Sequence, residues 1–154
     1  MQTPSDIQHN NAVALLEADH QAVNKLFKQY EKATETDNKK ELVSKICAEL
    51  SLHAQVEEEI FYPQFKLAVG DKPMIAEAIV EHSTLTDLMA QVEGKQPDGE
   101  MFDAKIKVLA EYVQHHVKEE ETEMFPKAKK SKMDLEKIGM EIIARKTALK
   151  KPKK

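Results

Sequence analysis

Apolar residues recur at steps of three and four along five stretches of this chain, the period of a helix that buries one face. From about Asn11 to Ala33 the stripe reads Val13, Leu16, His20, Val23, Phe27 and Tyr30. The polar stretch Thr34 to Lys40 makes a turn, with Asp37 as N-cap of the next helix. That helix carries Leu42, Ile46, Leu50, His53, Glu57 and Ile60 and stops near Phe61, ahead of Pro63, since the residue before proline is steered away from helical geometry. Gly70 and Asp71 punctuate the following loop, and Pro73 falls in the first turn of a third helix. The third stripe is Ile75, Ile79, His82, Leu85 and Met89, ending near Gly94. After a turn at Gln96-Pro97-Asp98-Gly99, the fourth helix runs from Glu100 to Phe125, ahead of Pro126, with Phe102, Ile106, Leu109, Val113, His116, Glu120 and Met124 on its stripe. A weaker stripe of Leu135, Ile138, Ile142 and Leu149 follows between Lys132 and Lys150, with Ser131 as its cap and Asp134 three residues later.

Four long amphipathic helices with short connections predict an all-α, up-down-up-down four-helix bundle with an additional C-terminal helix. Helices of ~20 residues at ~1.5 Å each are ~30 Å long. The chain divides into a polar lead-in (1–10), the bundle (11–128), and the C-terminal helix with a basic tail (129–154). Composition supports this reading: 41% hydrophobic and 32% charged residues, four Gly and no Trp suit a helical globular chain. No apolar run spans a bilayer, the N-terminus lacks signal-peptide regions, and the single Cys47 has no intrachain partner. A cytoplasmic protein without a membrane association is the expectation. The net charge is −4, yet Arg145, Lys146, Lys150, Lys151, Lys153 and Lys154 crowd the last ten residues, and without them the body carries −10. An acidic body predicts no nucleic-acid partner, and the basic end reads as a solvated, frayed terminus. Whether a protein partner exists is left open, with the fifth helix as the region that could dock one.

Candidate chemistry lies in a repeat. His53-Ala54-Gln55-Val56-Glu57 and His116-Val117-Lys118-Glu119-Glu120 each place a Glu four residues after a His, and Pro63 and Pro126 each follow ten residues after that His. Residues four apart share a helix face. His20, His53, His82 and His116 each continue the apolar stripe of a different helix, and Glu57 and Glu120 extend two of those stripes. A buried carboxylate is costly unless compensated, and a bound dication compensates it. Any one such His is more often a hydrogen-bonded core residue than a ligand. Four together, with two matching His-x-x-x-Glu pairs, point to metal. His115 with Glu119 repeats the spacing, but the proline register and the stripe through Leu109 and Val113 favour His116 with Glu120. Glu58, Glu59, Glu119, Glu121 and Glu123 read as solvated face. Tyr30, Tyr62 and Tyr112 are second-sphere donors or packing residues, and His9 lies in the lead-in. Four imidazoles and two carboxylates suit iron, with zinc, manganese and copper left open. Carboxylates bridge ions ~3.5–4 Å apart, so the expected site is binuclear. Its open positions would take water, an oxo or hydroxo bridge, or a small ligand such as dioxygen, peroxide or nitric oxide.

The ordered pattern His20, His53/Glu57, His82, His116/Glu120, with an acidic run, an aromatic and a proline after each pair, resembles the hemerythrin-like, or HHE cation-binding, family over residues 11–128. The resemblance implies a four-helix bundle holding two non-haem iron ions. Oxygen-carrying members have a further His four residues from the third-helix His and an Asp five residues after the last His. Here Ala78 and Thr86 flank His82, and Glu120 follows His116 by four. Fewer imidazoles leave positions open, which favours redox reactions or sensing over reversible oxygen carriage. Members of this type are associated with peroxide breakdown, oxygen or nitric oxide responses, and iron handling. A peroxide-degrading di-iron enzyme is the alternative reading, and a bundle holding another metal the third.

Overall fold

The computed structural model describes residues 11–97 and 99–150. His9 and the rest of the lead-in, Asp98, and the last four residues of the basic tail lie outside them. The described residues form seven α-helical segments: α1 (Ala12–Lys32), α2 (Thr36–Val56), α3 (Tyr62–Val69), α4 (Lys72–Val92), α5 (Gly99–Glu119), α6 (Phe125–Lys130) and α7 (Leu135–Lys150). The four main helices, α1, α2, α4 and α5, have 21 residues each. They close a ring in which α1 packs on α2, α2 on α4, α4 on α5 and α5 on α1. α7 lies across α1 and α2.

Local chemistry accounts for several helix ends. The Asn11 side chain accepts the Ala14 N–H at 2.9 Å, and Asp71 accepts the Met74 N–H at 3.2 Å, each satisfying a donor left free at a helix start. Gly70, at φ 79°, closes α3 in the left-handed conformation, which glycine adopts without a Cβ penalty. Two caps differ from expectation. α2 begins after Glu35, which makes no side-chain cap, so Asp37 lies inside the first turn and acts there only through the helix dipole. Ser131 terminates α6 by donating to the Ala128 carbonyl, while Asp134 accepts the Lys137 N–H at the start of α7.

The larger correction concerns the prolines. Neither helix stops at them. α2 continues through Glu57–Phe61 into α3, and α5 continues through Glu120–Met124 into α6. Each junction is one π-turn: the Tyr62 N–H bonds to the Glu57 carbonyl, and the Phe125 N–H to the Glu120 carbonyl. A proline inside an α-helix lacks the N–H and pushes against the carbonyl four residues back. One widened turn just before Pro63 and Pro126 relieves that clash.

The core has two apolar layers. One contains Phe27, Leu50, Leu85, Met89, Leu109 and Val113. The other contains Leu16, Val56, Phe61, Phe65, Met124 and Ile142. Cys47 is buried in the first layer, where burial and nearby Glu93 push its thiol up to about 12, so it stays protonated. Between the layers, each main helix contributes one histidine.

Candidate metal centre

Leu16 and Val23 belong to opposite layers, and His20 falls between them on α1. His53 does the same between Leu50 and Val56, and His82 between Ala78 and Leu85. His116 follows Val113 at the end of α5. The helical period therefore delivers four imidazoles to one level of the bundle, and the π-turns add Glu57 and Glu120. All six are buried, the two carboxylates at 0% and 2% exposure.

These side chains form two tetrads, each with one ligand atom per residue within 4.8 Å of the others: His20, His53, Glu57 and Glu120, and Glu57, His82, His116 and Glu120. Both glutamates belong to both tetrads. Glu57 Oε1 lies 3.2 Å from His53 Nε2 and 3.1 Å from His82 Nε2. Glu120 places Oε1 3.1 Å from His20 Nε2 and Oε2 3.3 Å from His116 Nε2. His82 and His116 bring their Nε2 atoms within 3.2 Å of one another.

Every imidazole turns Nε2 inward and donates Nδ1–H to a second carboxylate. His20 donates to Glu121 at 2.8 Å, His53 to Asp19 at 2.9 Å, His82 to Glu58 at 2.8 Å, and His116 to Glu81 at 2.6 Å. A fixed Nδ1–H leaves the Nε2 lone pair directed into the site and makes it more basic. Glu58 and Glu121 are thus more than solvated face. Asp19 and Glu81 were missed by sequence reasoning; the signal available was an acid immediately before each lone His, at Asp19-His20 and Glu81-His82.

Tyr62 reaches into the cluster. Its hydroxyl lies 2.6 Å from Glu120 Oε2, to which it donates, and 3.2 Å from both Glu57 Oε1 and His82 Nε2. Its ring stacks on His82 at 5.5 Å, as the Phe125 ring stacks on His20 at 5.9 Å. Burial, then the charges of Glu57 and Glu120, hold the phenol well above its ordinary range. The other two tyrosines lie elsewhere: Tyr30 donates to Asp103 at 2.6 Å, and Tyr112 is exposed.

The electrostatics show what the layer does without an ion. Burial alone would lower the histidines, yet the charge of Glu57 holds His53 well above its ordinary value and hydrogen bonding to Glu57 raises His82. Burial opposes His116 as well, but Glu120 raises it to about 9. Burial would raise Glu120, but hydrogen bonds from its neighbours hold it well below the carboxylate range. Imidazolium supplies the positive charge that the carboxylates need. It does so incompletely: His53 Nε2 and Glu57 Oε2 have no hydrogen-bond partner. Orphaned buried donor and acceptor atoms are costly, and these two face a site whose nitrogen and oxygen donors suit a transition-metal dication. The residues fit a metal.

His115 lies outside this layer. Its side chain is 64% exposed, with Nε2 3.2 Å from Glu119 Oε1.

A model of the hemerythrin HHE cation-binding domain matches residues 11–128. A DNA nickase of Nostoc sp. is 30% identical over 121 residues, 79% of this chain and 34% of that protein; the chain therefore spans about a third of that relative. The crystal structure of a hemerythrin HHE cation-binding domain-containing protein from Mycobacterium kansasii superposes with a TM-score of 0.79, covering 90% of this chain and 86% of that one at 22% identity. No described helix is long and apolar enough to cross a membrane.

Proposed function

We propose that this chain, which belongs to the hemerythrin HHE cation-binding domain family, holds two non-haem iron ions and binds or reacts with a small molecule, dioxygen, peroxide or nitric oxide. The observation that carries the reading is the sharing of Glu57 and Glu120 by both tetrads. His20 and His53 would serve one ion and His82 and His116 the other, with both carboxylates bridging. Bound iron would supply reversible one-electron chemistry and open coordination positions. The protein's own residues supply the rest. Asp19, Glu58, Glu81 and Glu121 hold the four rings in one tautomer. A space of about 30 Å³ adjoins all four imidazoles, walled by Val23, Leu50, Leu85 and Val113. About 10–15 Å³ of such space holds one water, so it suits a molecule of a few atoms. Oxygen or redox sensing and iron handling are the roles such a centre serves.

Metal content after anaerobic Fe(II) loading and desalting tests the reading, followed by an absorption spectrum in air. Two irons per chain with new near-ultraviolet bands are expected. Zinc, manganese or copper retained in place of iron would overturn it.

Peroxide degradation is the second reading, favoured by the Tyr62 hydroxyl. It is an O–H donor inside the buried cluster, and cleavage of an O–O bond consumes protons. Under this reading Tyr62→Phe keeps its iron and loses most peroxide turnover, measured as oxygen evolved from hydrogen peroxide. Equal turnover in the variant removes the tyrosine from the reaction. DNA nicking is not carried over, since about two thirds of the Nostoc relative has no counterpart here.

A further inference from the structure

The six buried side chains are at most 8% exposed, so an ion needs a route to them. On the histidine side the approach is the small apolar space, where a hydrated dication would lose its water without replacement. On the opposite side a cleft of about 240 Å³ opens between the start of α4 and the end of α5. Its inner end is His116 and Glu120, and its rim carries Glu77, Glu81, Glu119 and Glu123. Among the described residues no Lys or Arg lines it; the neighbouring Lys127 is held by Asp71 at 2.8 Å.

Two residues of this rim, Glu81 and Glu119, combine with the neighbouring His115, which borders the adjoining pocket beside Glu81, into more than a patch of charge. Glu81, His115 and Glu119 each bring a ligand atom within 4.8 Å of the others. His115 Nε2 is 3.2 Å from Glu119 Oε1 and 3.9 Å from Glu81 Oε2. The other oxygen of Glu81 accepts the Nδ1–H of His116, so one carboxylate touches both the rim trio and a buried histidine. The two halves of the chain differ here. Counting back from the matching prolines, Leu52 and Val56 occupy the places of His115 and Glu119. Asp19, the counterpart of Glu81, is closed off by Lys146 of α7. Among the described residues, only the α4–α5 side combines an open acidic cleft with a metal-type donor set.

We propose that Glu81, His115 and Glu119 form an outer cation site at the mouth of this cleft, which captures a divalent metal ion from solvent and passes it to the buried cluster. The proposal rests on the metal centre proposed above. One imidazole and two carboxylates suit a transition-metal dication, and the exposed side leaves room for the waters it has not yet lost. Cations enter from the acidic side, whereas a neutral small ligand enters from the apolar side.

The test uses the full metal-free chain and the double variant His115→Ala/Glu119→Gln. Anaerobic Fe(II) is added, and iron protected from a chelator is followed over time. Loading is expected to slow ~10-fold, within the range attributed to charge-lined clefts, with final iron content and spectrum as in the parent. A control, Glu31→Gln/Glu136→Gln, removes two exposed acids elsewhere and is expected to load at the parent rate. A Zn(II) titration of the parent should consume one more ion than that of the His115/Glu119 variant. An unchanged loading rate overturns the proposal, as does equal slowing in the control or a reduced final iron content. If the parent itself retains no iron, the resident centre fails, and an unchanged zinc count in the variant then removes the outer site as well.

Discussion

Glu57 and Glu120 are carboxylates with almost no exposed surface in a helical core, and the site follows from how that charge is balanced. Without metal the balance is protonic, which makes it sensitive to pH. His116, raised to about 9, contributes stability that is complete below its unfolded value of about 6.5 and lost as pH rises through 9. His53 and His82 are raised too and act in the same direction. Glu120 is lowered, so its contribution is present above about 4.5 and lost as pH falls through its depressed value. Melting of the metal-free protein should therefore fall between pH 6.5 and 9. Metal requires neutral imidazoles, so loading near pH 7 should release protons, measurable in weakly buffered solution. Loading without proton release would show that the rings were already neutral. The outer carboxylates matter at this scale as well. Asp19→Ala frees the His53 ring and should weaken metal retention ~10–100-fold in a chelator competition.

Among the elements, the two π-turns decide how the site is built. On an α-helix, residues five apart point about 140° away from each other. The widened turn brings the Tyr62 hydroxyl back to 3.2 Å from Glu57 Oε1. Deleting Ile60, one of its residues, restores an ordinary α-turn with Tyr62 four residues after Glu57 and still about 40° round the helix from it, and brings the Pro63 ring against the carbonyl four residues back. Iron content equal to the parent's, with a stability loss of ~3 kcal/mol or more in denaturant unfolding, is the expected result, while unchanged stability would show that the widened turn does not serve the proline. α7 is the other decisive element. Ile138 and Ile142 seal the second apolar layer, Lys146 pairs with Asp19, and Arg145 with Glu59 at 2.8 Å. The start of the basic stretch is therefore ordered helix, not a frayed tail. Ile142 is fully buried, and Ile142→Ala should cost ~2–5 kcal/mol in denaturant unfolding.

At the scale of the whole molecule, the chain is two helix pairs with matching parts. His20 corresponds to His82, Asp19 to Glu81, His53 to His116, and Glu57-Glu58 to Glu120-Glu121. Asp19 and Glu81 serve histidines in their own half, whereas Glu58 and Glu121 reach across to the other half. The polar layer thus ties the halves together, and an ion held by both would act as a cross-link. At a free-metal concentration ~1,000 times Kd, binding adds ~4 kcal/mol to stability. Calorimetry should show a clear rise in Tm on loading and its reversal by chelator. Equal Tm values would mean that metal does not bridge the halves.

By itself the sequence determined the helices, the six residues that share one level, and the buried stripes apart from Ile79, which is exposed while Ala78 takes the buried place. These are local properties: a period of 3.6 places a side chain on a face whatever lies opposite. Residue spacing did not reveal which carboxylate meets which ring. That His53 bonds to Asp19 and His82 to Glu58 depends on how each helix is rotated and staggered against its neighbour. Tertiary packing also carried the helices through Pro63 and Pro126, because the buried Phe61, Phe65 and Phe125 reward a continued rod that local rules would end. It likewise turned Glu58, Glu121, Arg145 and Lys146 from solvated charges into partners, since a charge's neighbours are set by distant segments of the chain.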